Sequence, residues 1–247
     1  MKSEILYGIH PVYEAVVANR RRVYEIFLEK EKQSKRLIQL ASLAESRGIF
    51  QKTLTADQLK TLAGAAGHQG VAARVSPYPL TAAADMLPKF QAKDRKHFLL
   101  MLDNVLDPQN LGAIIRTALC VGIDRIVLPK DRCATPTPSV SKASAGALEH
   151  IKLIRVTNLV NAIKECKNSG LWIYGLQKDA PQSIYASDLS GSIAMVLGGE
   201  QKGIRPLVEK NCDFLVSIPQ QGPVDSLNAS VAAGVAMYES FRQRAQG

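Results

Sequence analysis

From Phe98 onward, short apolar runs alternate with stretches of helical periodicity, and this alternation limits the fold more than any other feature. The runs are Phe98–Asp103, Arg125–Pro129, Lys152–Val156, Leu171–Leu176, Ile193–Gly198 and Phe214–Pro219. Each is short, apolar and bounded by turn-forming residues, the pattern of a strand buried on both faces. Strands that alternate with helices point to a largely parallel sheet covered on both sides. An α/β domain with such a sheet is therefore predicted over residues 98–247. Its final segment, Leu227 to Arg244, places Ala232, Val235, Ala236 and Met237 in helical register and ends in Arg242 and Arg244, which suits the C-terminus of a helix.

Upstream the units are smaller. Val23–Glu29 has strand character, and Lys32–Arg47 carries Leu37, Leu40, Leu43 and Ala44 at helical spacing before Gly48. A strand near Ile49–Leu54, a helix opened by Thr55 with Leu59 and Leu62 on one face, and a strand at Val71–Val75 complete a small α/β unit over residues 1–76. Residues 77–97, with Pro77-Tyr78-Pro79, Ala82-Ala83-Ala84, Pro88 and Lys93-Asp94-Arg95-Lys96, read as a linker with a short helix at most and no core. There is no internal repeat.

Charge separates the two parts. Residues 1–97 hold 16 basic and 9 acidic side chains, whereas residues 98–247 hold 15 and 13, out of a total net charge of +9. A basic front suits a polyanionic partner, or else a surface tuned for solubility. Arg20-Arg21-Arg22 and Lys35-Arg36 are candidate phosphate contacts that would position a nucleic acid without reading its sequence. His10 and His68 are open to RNA contact or to a turn or packing role, and Tyr7 and Tyr13 to base stacking or core packing. No apolar run approaches the roughly 18–20 residues of a membrane span, and Gly8 and Pro11 interrupt the amino terminus before a leader-like stretch develops, so a cytoplasmic location is expected. Cys120, Cys133, Cys166 and Cys212 form no CxxC pair and have no histidine at metal-ligand spacing, so buried thiols are expected rather than a metal site or disulfides.

Ligands of parallel sheets sit outside the carboxyl ends of the strands. Three strand ends are followed by unusual sequence. After Leu102 comes Asp103-Asn104-Val105-Leu106-Asp107-Pro108-Gln109-Asn110-Leu111-Gly112, where Asp107-Pro108 makes a turn and Asn110 is the expected helix cap. Arg116 would then lie about a turn and a half into the helix, placed to face a phosphate or simply solvent. After Leu197 comes Gly198-Gly199-Glu200-Gln201-Lys202-Gly203, whose glycines let the backbone approach a ligand or make a tight turn, without the spacing of a P-loop or a GxGxxG fingerprint. After Ile218 comes Pro219-Gln220-Gln221-Gly222-Pro223-Val224-Asp225-Ser226-Leu227-Asn228, where Asp225 or Ser226 is expected to cap the last helix.

Together these segments resemble the motifs of the SpoU (TrmH-like) family of the SPOUT superfamily of RNA ribose methyltransferases. The correspondence runs through Asn110, Gly112 and Arg116; through Gly198, Glu200 and Gly203; and through Ile218, Pro219, Ser226, Leu227, Asn228, Ser230 and Ala232. It covers residues 98–247, while Tyr7-Gly8-Ile9-His10-Pro11-Val12 and His68-Gln69-Gly70-Val71 are similar to the amino-terminal substrate-binding domain of the two-domain members. Gly199 and Gln201 depart from the Ser, Asn or Ala before the glutamate and the Gly after it that many members carry, which bears on loop detail and not on class. The resemblance implies a SPOUT domain with a deep trefoil knot behind a small L30e-like α/β domain. It also implies a homodimer, S-adenosylmethionine as methyl donor, and RNA as substrate, foremost a guanosine of 23S ribosomal RNA and secondarily transfer RNA.

By the same resemblance, Gly198, Gly203, Ile218, Pro219 and Leu227 would hold the cofactor, and Arg116, Asn110, Glu200, Ser226 and Asn228 would serve the chemistry. No metal is required. The family analogy makes Arg116 the base, but a guanidinium stays protonated in proteins. Stabilising a developing alkoxide and gripping the adjacent phosphate suit it better, with the proton leaving through phosphate or water; Arg116 is a base only in an unusually desolvating site. An inactive RNA-binding assembly factor would have no use for Arg116, Glu200 and Asn228 together. A Rossmann enzyme would want a glycine-rich turn after the first strand, where this chain has Asp-Asn-Val-Leu-Asp-Pro.

Overall fold

The computed structural model describes residues 2–86, 96–123, 125–199, 203–223 and 226–245. In chain order the first elements are β1 (Glu4–Tyr7), α1 (Ile9–Ala18), β2 (Val23–Glu29), α2 (Lys35–Ser46), β3 (Phe50–Leu54), α3 (Ala56–Ala63) and β4 (Val71–Val75). They are followed by β5 (Phe98–Asp103), α4 (Pro108–Cys120), β6 (Arg125–Pro129), α5 (Pro138–Ala143), β7 (Lys152–Val156), α6 (Leu159–Asn168) and β8 (Trp172–Leu176). The last are β9 (Gln182–Ser183), β10 (Ile193–Gly198), α7 (Pro206–Glu209), β11 (Phe214–Ser217) and α8 (Ala229–Ala245). The chain forms two compact units, residues 1–79 with 135–150 and residues 80–134 with 151–247.

The first unit is built on a sheet of order β1-β4-β2-β3, in which β2 and β3 are parallel and the other pairs antiparallel. Leu6, Val12, Ile26, Leu37, Leu40 and Val71 fill one side of it. The Ser34 hydroxyl caps α2 by accepting the Leu37 N–H, and Thr55 and Gln58 close a capping box on α3. Three basic side chains expected to meet phosphate, Arg20, Arg21 and Arg36, are engaged within this unit. Arg21 is 3% exposed and faces Glu4 Oε2 at 3.0 Å and Glu149 Oε2 at 2.9 Å, as a buried cation requires. Arg20 donates to the Tyr78 hydroxyl at 3.2 Å. Arg36 donates to His10 Nε2 at 3.0 Å, and the buried His68 accepts the Gly70 N–H on Nδ1. Tyr7 and Tyr13 pack against the apolar clusters of the unit.

The second unit carries a sheet of order β7-β6-β5-β10-β8-β11-β9, parallel in every pairing. All of β5 is buried. Leu99, Met101, Val127, Ile154, Ala194 and Val196 join Leu159 and Ile163 of α6 in one core. That core also takes in Met86, 1% exposed, and Thr81 bridges to Ile154. The stretch expected to lack core thus contributes to one, because the long apolar side chain of Met86, after a run of short alanines, reaches into it; residues 87–95 lie outside the described residues.

Sheet register sets the site. Gly198 lies beside Asp103, Leu197 beside both Leu102 and Leu176, and Leu176 beside Val216. The carboxyl ends of β5, β10, β8 and β11 therefore open at one edge of the sheet, where a ligand of such a fold belongs.

Candidate active site

A cavity of about 410 Å³ lies at these strand ends, within the range of small-molecule sites. Leu197, Gly198, Gly199 and Gly203 form one wall; Ile218, Gln220, Ser226 and Leu227 another; Ala229 and Ala232 of α8 a third. The glycines are required by crowding. A Cβ on Gly198 would strike the backbone of Gly203 and Ile204, and one on Gly199 would strike the carbonyl oxygen of Asn104. Gly199 and Gly203 pair as an isolated bridge, the Gly203 N–H donating to the Gly199 carbonyl at 3.0 Å, with Gly203 at φ 58. Gly198, Gly199 and Gly203, without side chains, thus leave their backbone at the cavity wall.

Helices α4 and α8 pack together beside this wall. The cap of α4 is Asp107, whose carboxylate accepts the N–H groups of Gln109 and Asn110, with Pro108 in the first position. Asn110, expected as the cap, is inside the first turn and 8% exposed; its Oδ1 accepts from Asn228 Nδ2 at 3.1 Å. The cap of α8 is Asn228, whose Oδ1 accepts the N–H groups of Ser230 and Val231 and the Ser230 hydroxyl. Neither expected cap holds that position: Ser226 lines the cavity instead, and Asp225 is outside the described residues. One asparagine thus starts α8 and ties it to α4. Because α4 begins at Pro108, Arg116 lies farther along it than expected, exposed and about 120° around the helix from Asn110.

Residues 97–238 match the model of the SpoU rRNA methylase family, and residues 5–81 match that for RNA 2'-O ribose methyltransferase substrate binding. The chain belongs to the SpoU rRNA methylase family. It is 38% identical over 243 residues to the Xylella fastidiosa 23S rRNA (guanosine-2'-O-)-methyltransferase RlmB, covering 98% of both chains. With the Escherichia coli K12 protein of the same name it shares 39% over 242 residues, 98% of this chain and 99% of that one. The SpoU methyltransferase AviRb from Streptomyces viridochromogenes, solved with AdoMet, has the same fold, with a TM-score of 0.80 at 24% identity over 99% of this chain and 91% of that one.

Of the SpoU residues expected at the cofactor, Gly198, Gly203, Ile218 and Leu227 line the cavity, while Pro219 is exposed and does not. Of those expected in the chemistry, Ser226 lines it, Asn110 and Asn228 meet beside it, and Glu200 lies outside the described residues. Two features were missed. Gln177, Lys178 and Asp179, after β8, form a further wall of the cavity. Asp103, 0% exposed, receives Arg205 Nε at 2.7 Å and the Arg205 backbone N–H at 2.9 Å. The rule that placed ligands at strand ends applied equally to Leu176, and Asp103 ends a wholly apolar strand; both were signals to be had. Among the described residues no group of His, Cys, Asp and Glu could hold a metal ion.

Proposed function

We propose that this chain transfers a methyl group from S-adenosylmethionine to the 2'-hydroxyl of a guanosine ribose in 23S ribosomal RNA. The observation that carries the reading is the convergence of Gly198 and Gly203 with Ile218 and Leu227 on one cavity, flanked by the Asn110–Asn228 pair. The end-to-end likeness to the RlmB proteins, at 38–39% identity, supplies the substrate.

The cavity suits the cofactor. Glycines with no room for a Cβ present backbone amides to it, and Leu197, Ile218 and Leu227 offer apolar faces for an adenine ring. When bound, the cofactor supplies a methyl group activated by its sulfonium. The protein's task is to hold a ribose hydroxyl in line and to stabilise the alkoxide that forms. Arg116, a permanent cation on an exposed helix face, grips the neighbouring phosphate and stabilises that alkoxide, and the proton leaves through phosphate or water. Asn110 and Asn228 fix the relation of α4 to α8 and so of Arg116 to the cavity. Glu200 and Ser226 orient the ribose and Arg116 by hydrogen bonds.

In the same reading, residues 1–76 are an L30e-like RNA-binding domain and 77–97 a linker to a knotted methyltransferase domain at 98–247. The meeting of Ser226, Leu227, Ala229 and Ala232 with Leu197, Gly198, Gly199 and Gly203 at one cavity is consistent with threading after Pro219. The enzyme works in the cytoplasm as a homodimer. The test is transfer of labelled methyl from S-adenosylmethionine to transfer RNA and to ribosomal RNA lacking their native methylations, the latter both free and as assembling particles, followed by mapping. Label on a guanosine 2'-oxygen of 23S RNA supports the proposal. Label confined to transfer RNA overturns the substrate, and cofactor binding without transfer to any of these RNAs overturns the activity in favour of an assembly factor.

A further inference from the structure

We infer that Asp103 is a positioning residue for the cofactor cavity, acting through Arg205. The inference rests on the reading that this cavity holds S-adenosylmethionine. Asp103 ends β5 with no exposed surface, and both its carboxylate oxygens are engaged by one residue: Oδ1 by the Arg205 side chain at 2.7 Å and Oδ2 by the Arg205 backbone N–H at 2.9 Å. A side-chain contact alone would leave the backbone of Arg205 free to shift. The backbone contact fixes its position, and the charged side chain neutralises the carboxylate that makes it.

The residue next door packs against Gly199, across the Gly199–Gly203 bridge from Arg205. Asn104 has φ 63, and its carbonyl oxygen occupies the place that a Cβ on Gly199 would need. Asp103 therefore bonds Arg205 while Asn104 abuts Gly199, on the two sides of the Gly199–Gly203 bridge. In that bridge the Gly203 N–H bonds the Gly199 carbonyl, and the backbone of Gly203 and Ile204 lies against Gly198. Gly198, Gly199 and Gly203 are the cavity wall, so any drift of Arg205 is passed to the wall through contacts with no slack. A buried ion pair is a poor device for stability, since apolar groups of the same volume often serve as well. Its directional bonds fix geometry, which is the property a preorganised ligand site draws from its supporting residues.

The experiment measures the Kd of S-adenosylmethionine by calorimetry on the full chain as wild type, Arg205→Ala, Arg205→Lys, Asp103→Asn and the double variant Asp103→Asn with Arg205→Ala, each well below its Tm. Arg205→Ala and Asp103→Asn are expected to weaken binding ~10-fold or more, with Arg205→Lys recovering most of the loss through one remaining charged contact. The double variant is expected to bind no worse than the poorer single one, because the two groups act as a unit. In steady state the KM for S-adenosylmethionine rises while that for RNA stays within about twofold, a split that general loss of stability would not produce. Binding within twofold of wild type in Arg205→Ala, with only Tm lowered, overturns the inference, and so do independent, multiplicative losses in the double variant. Should Asp103→Asn fail to fold, the Arg205→Ala and Arg205→Lys pair still decides. Wild-type binding tests the cavity reading itself: its absence removes both, whereas a normal wild-type Kd with indifferent variants removes the positioning role alone.

Discussion

At the scale of single residues, the proposed reaction asks charge of Arg116 and placement of Asn228. Arg116 is exposed and outside the cavity lining, so its removal should spare cofactor binding. Arg116→Ala is expected to lower kcat by ~10²–10³, the usual loss for one donor to a developing oxyanion, with Arg116→Lys between it and wild type. The Kd for S-adenosylmethionine should stay within about twofold, and single-turnover rates beside calorimetry check both; a kcat loss under tenfold would remove its role. Asn228 can be split chemically. Asn228→Ala loses the α8 cap and should cost about 1 kcal/mol or more in thermal unfolding. Asn228→Asp keeps an acceptor for the cap, at a helix end that favours negative charge, but sets a carboxylate against Asn110 Oδ1. Retained Tm with lost turnover is the expected result, and full turnover would show that the pairing is dispensable. The thiols give a pH dependence. Burial pushes Cys133 up to about 11 and Cys166 and Cys212 up to about 12. Above their ordinary value of 9.0 the unfolded chain loses these protons while the folded chain keeps them, so stability should be intact below that pH and fall progressively from pH 9 to 12. Urea unfolding across that range measures it, and at pH 8 the native chain should react with an alkylating reagent first at the exposed Cys120.

At the scale of elements, backbone shape decides at Gly198 and Gly199, where no Cβ fits. Gly198→Ala puts a methyl group into the backbone of Gly203 and Ile204, and the backbone there must move. Gly191→Ala, with no atom within 4 Å and no positive φ, is the matched control. Cofactor affinity should fall at least ~10-fold in the first and hold in the second; equal affinity in both would mean that this backbone does not shape the cavity. The elements also show what a sequence can disclose. The strands β5, β6 and β10 stood out because burial on both faces makes each a nearly continuous apolar run, whereas β7, at the sheet edge, is marked by Leu153, Ile154 and Val156 among the charges of Lys152 and Arg155. The small elements β1 and α1 did not: β1 has four residues, and Pro11 reads as a breaker although the first turn of α1 accepts it. Cap positions slipped for a related reason. Asp107 and Asn110 are both good caps three residues apart, and Pro108, suited to the first helical position, was the deciding signal. The motif residues around the cavity could be picked out one strand end at a time. The Asp103–Arg205 pairing could not, because it joins positions 102 residues apart and only the parallel register of β5 and β10 brings them together.

At the scale of the whole molecule, the proposed homodimer is argued from α8. Most helices here bury one face, but α8 is apolar around much of its circumference: Ala233, Ala236 and Met237 face the core, while Val231, Tyr238 and Phe241 are 51%, 52% and 43% exposed. Val231 and Tyr238 are seven residues apart and Phe241 three beyond, so these side chains share one stripe. Their rings are arranged against each other, Tyr238 and Phe241 meeting edge to face at 6.1 Å between centroids. A helix apolar on both sides has a second surface to cover, and in a homodimer a two-fold axis would let the stripe pack against its own copy. Tyr238→Glu places a charge in the middle of that stripe without touching Asn228, the cavity or the buried face of α8. Light scattering across a dilution series should give twice the chain mass for the wild type and a single chain for the variant, with Tm nearly unchanged in the regime where the monomer is already folded. If methyl transfer then fails while S-adenosylmethionine still binds, the second copy serves the RNA side of the reaction; if the wild type runs as a single chain at all concentrations, the stripe needs a different partner and the homodimer falls.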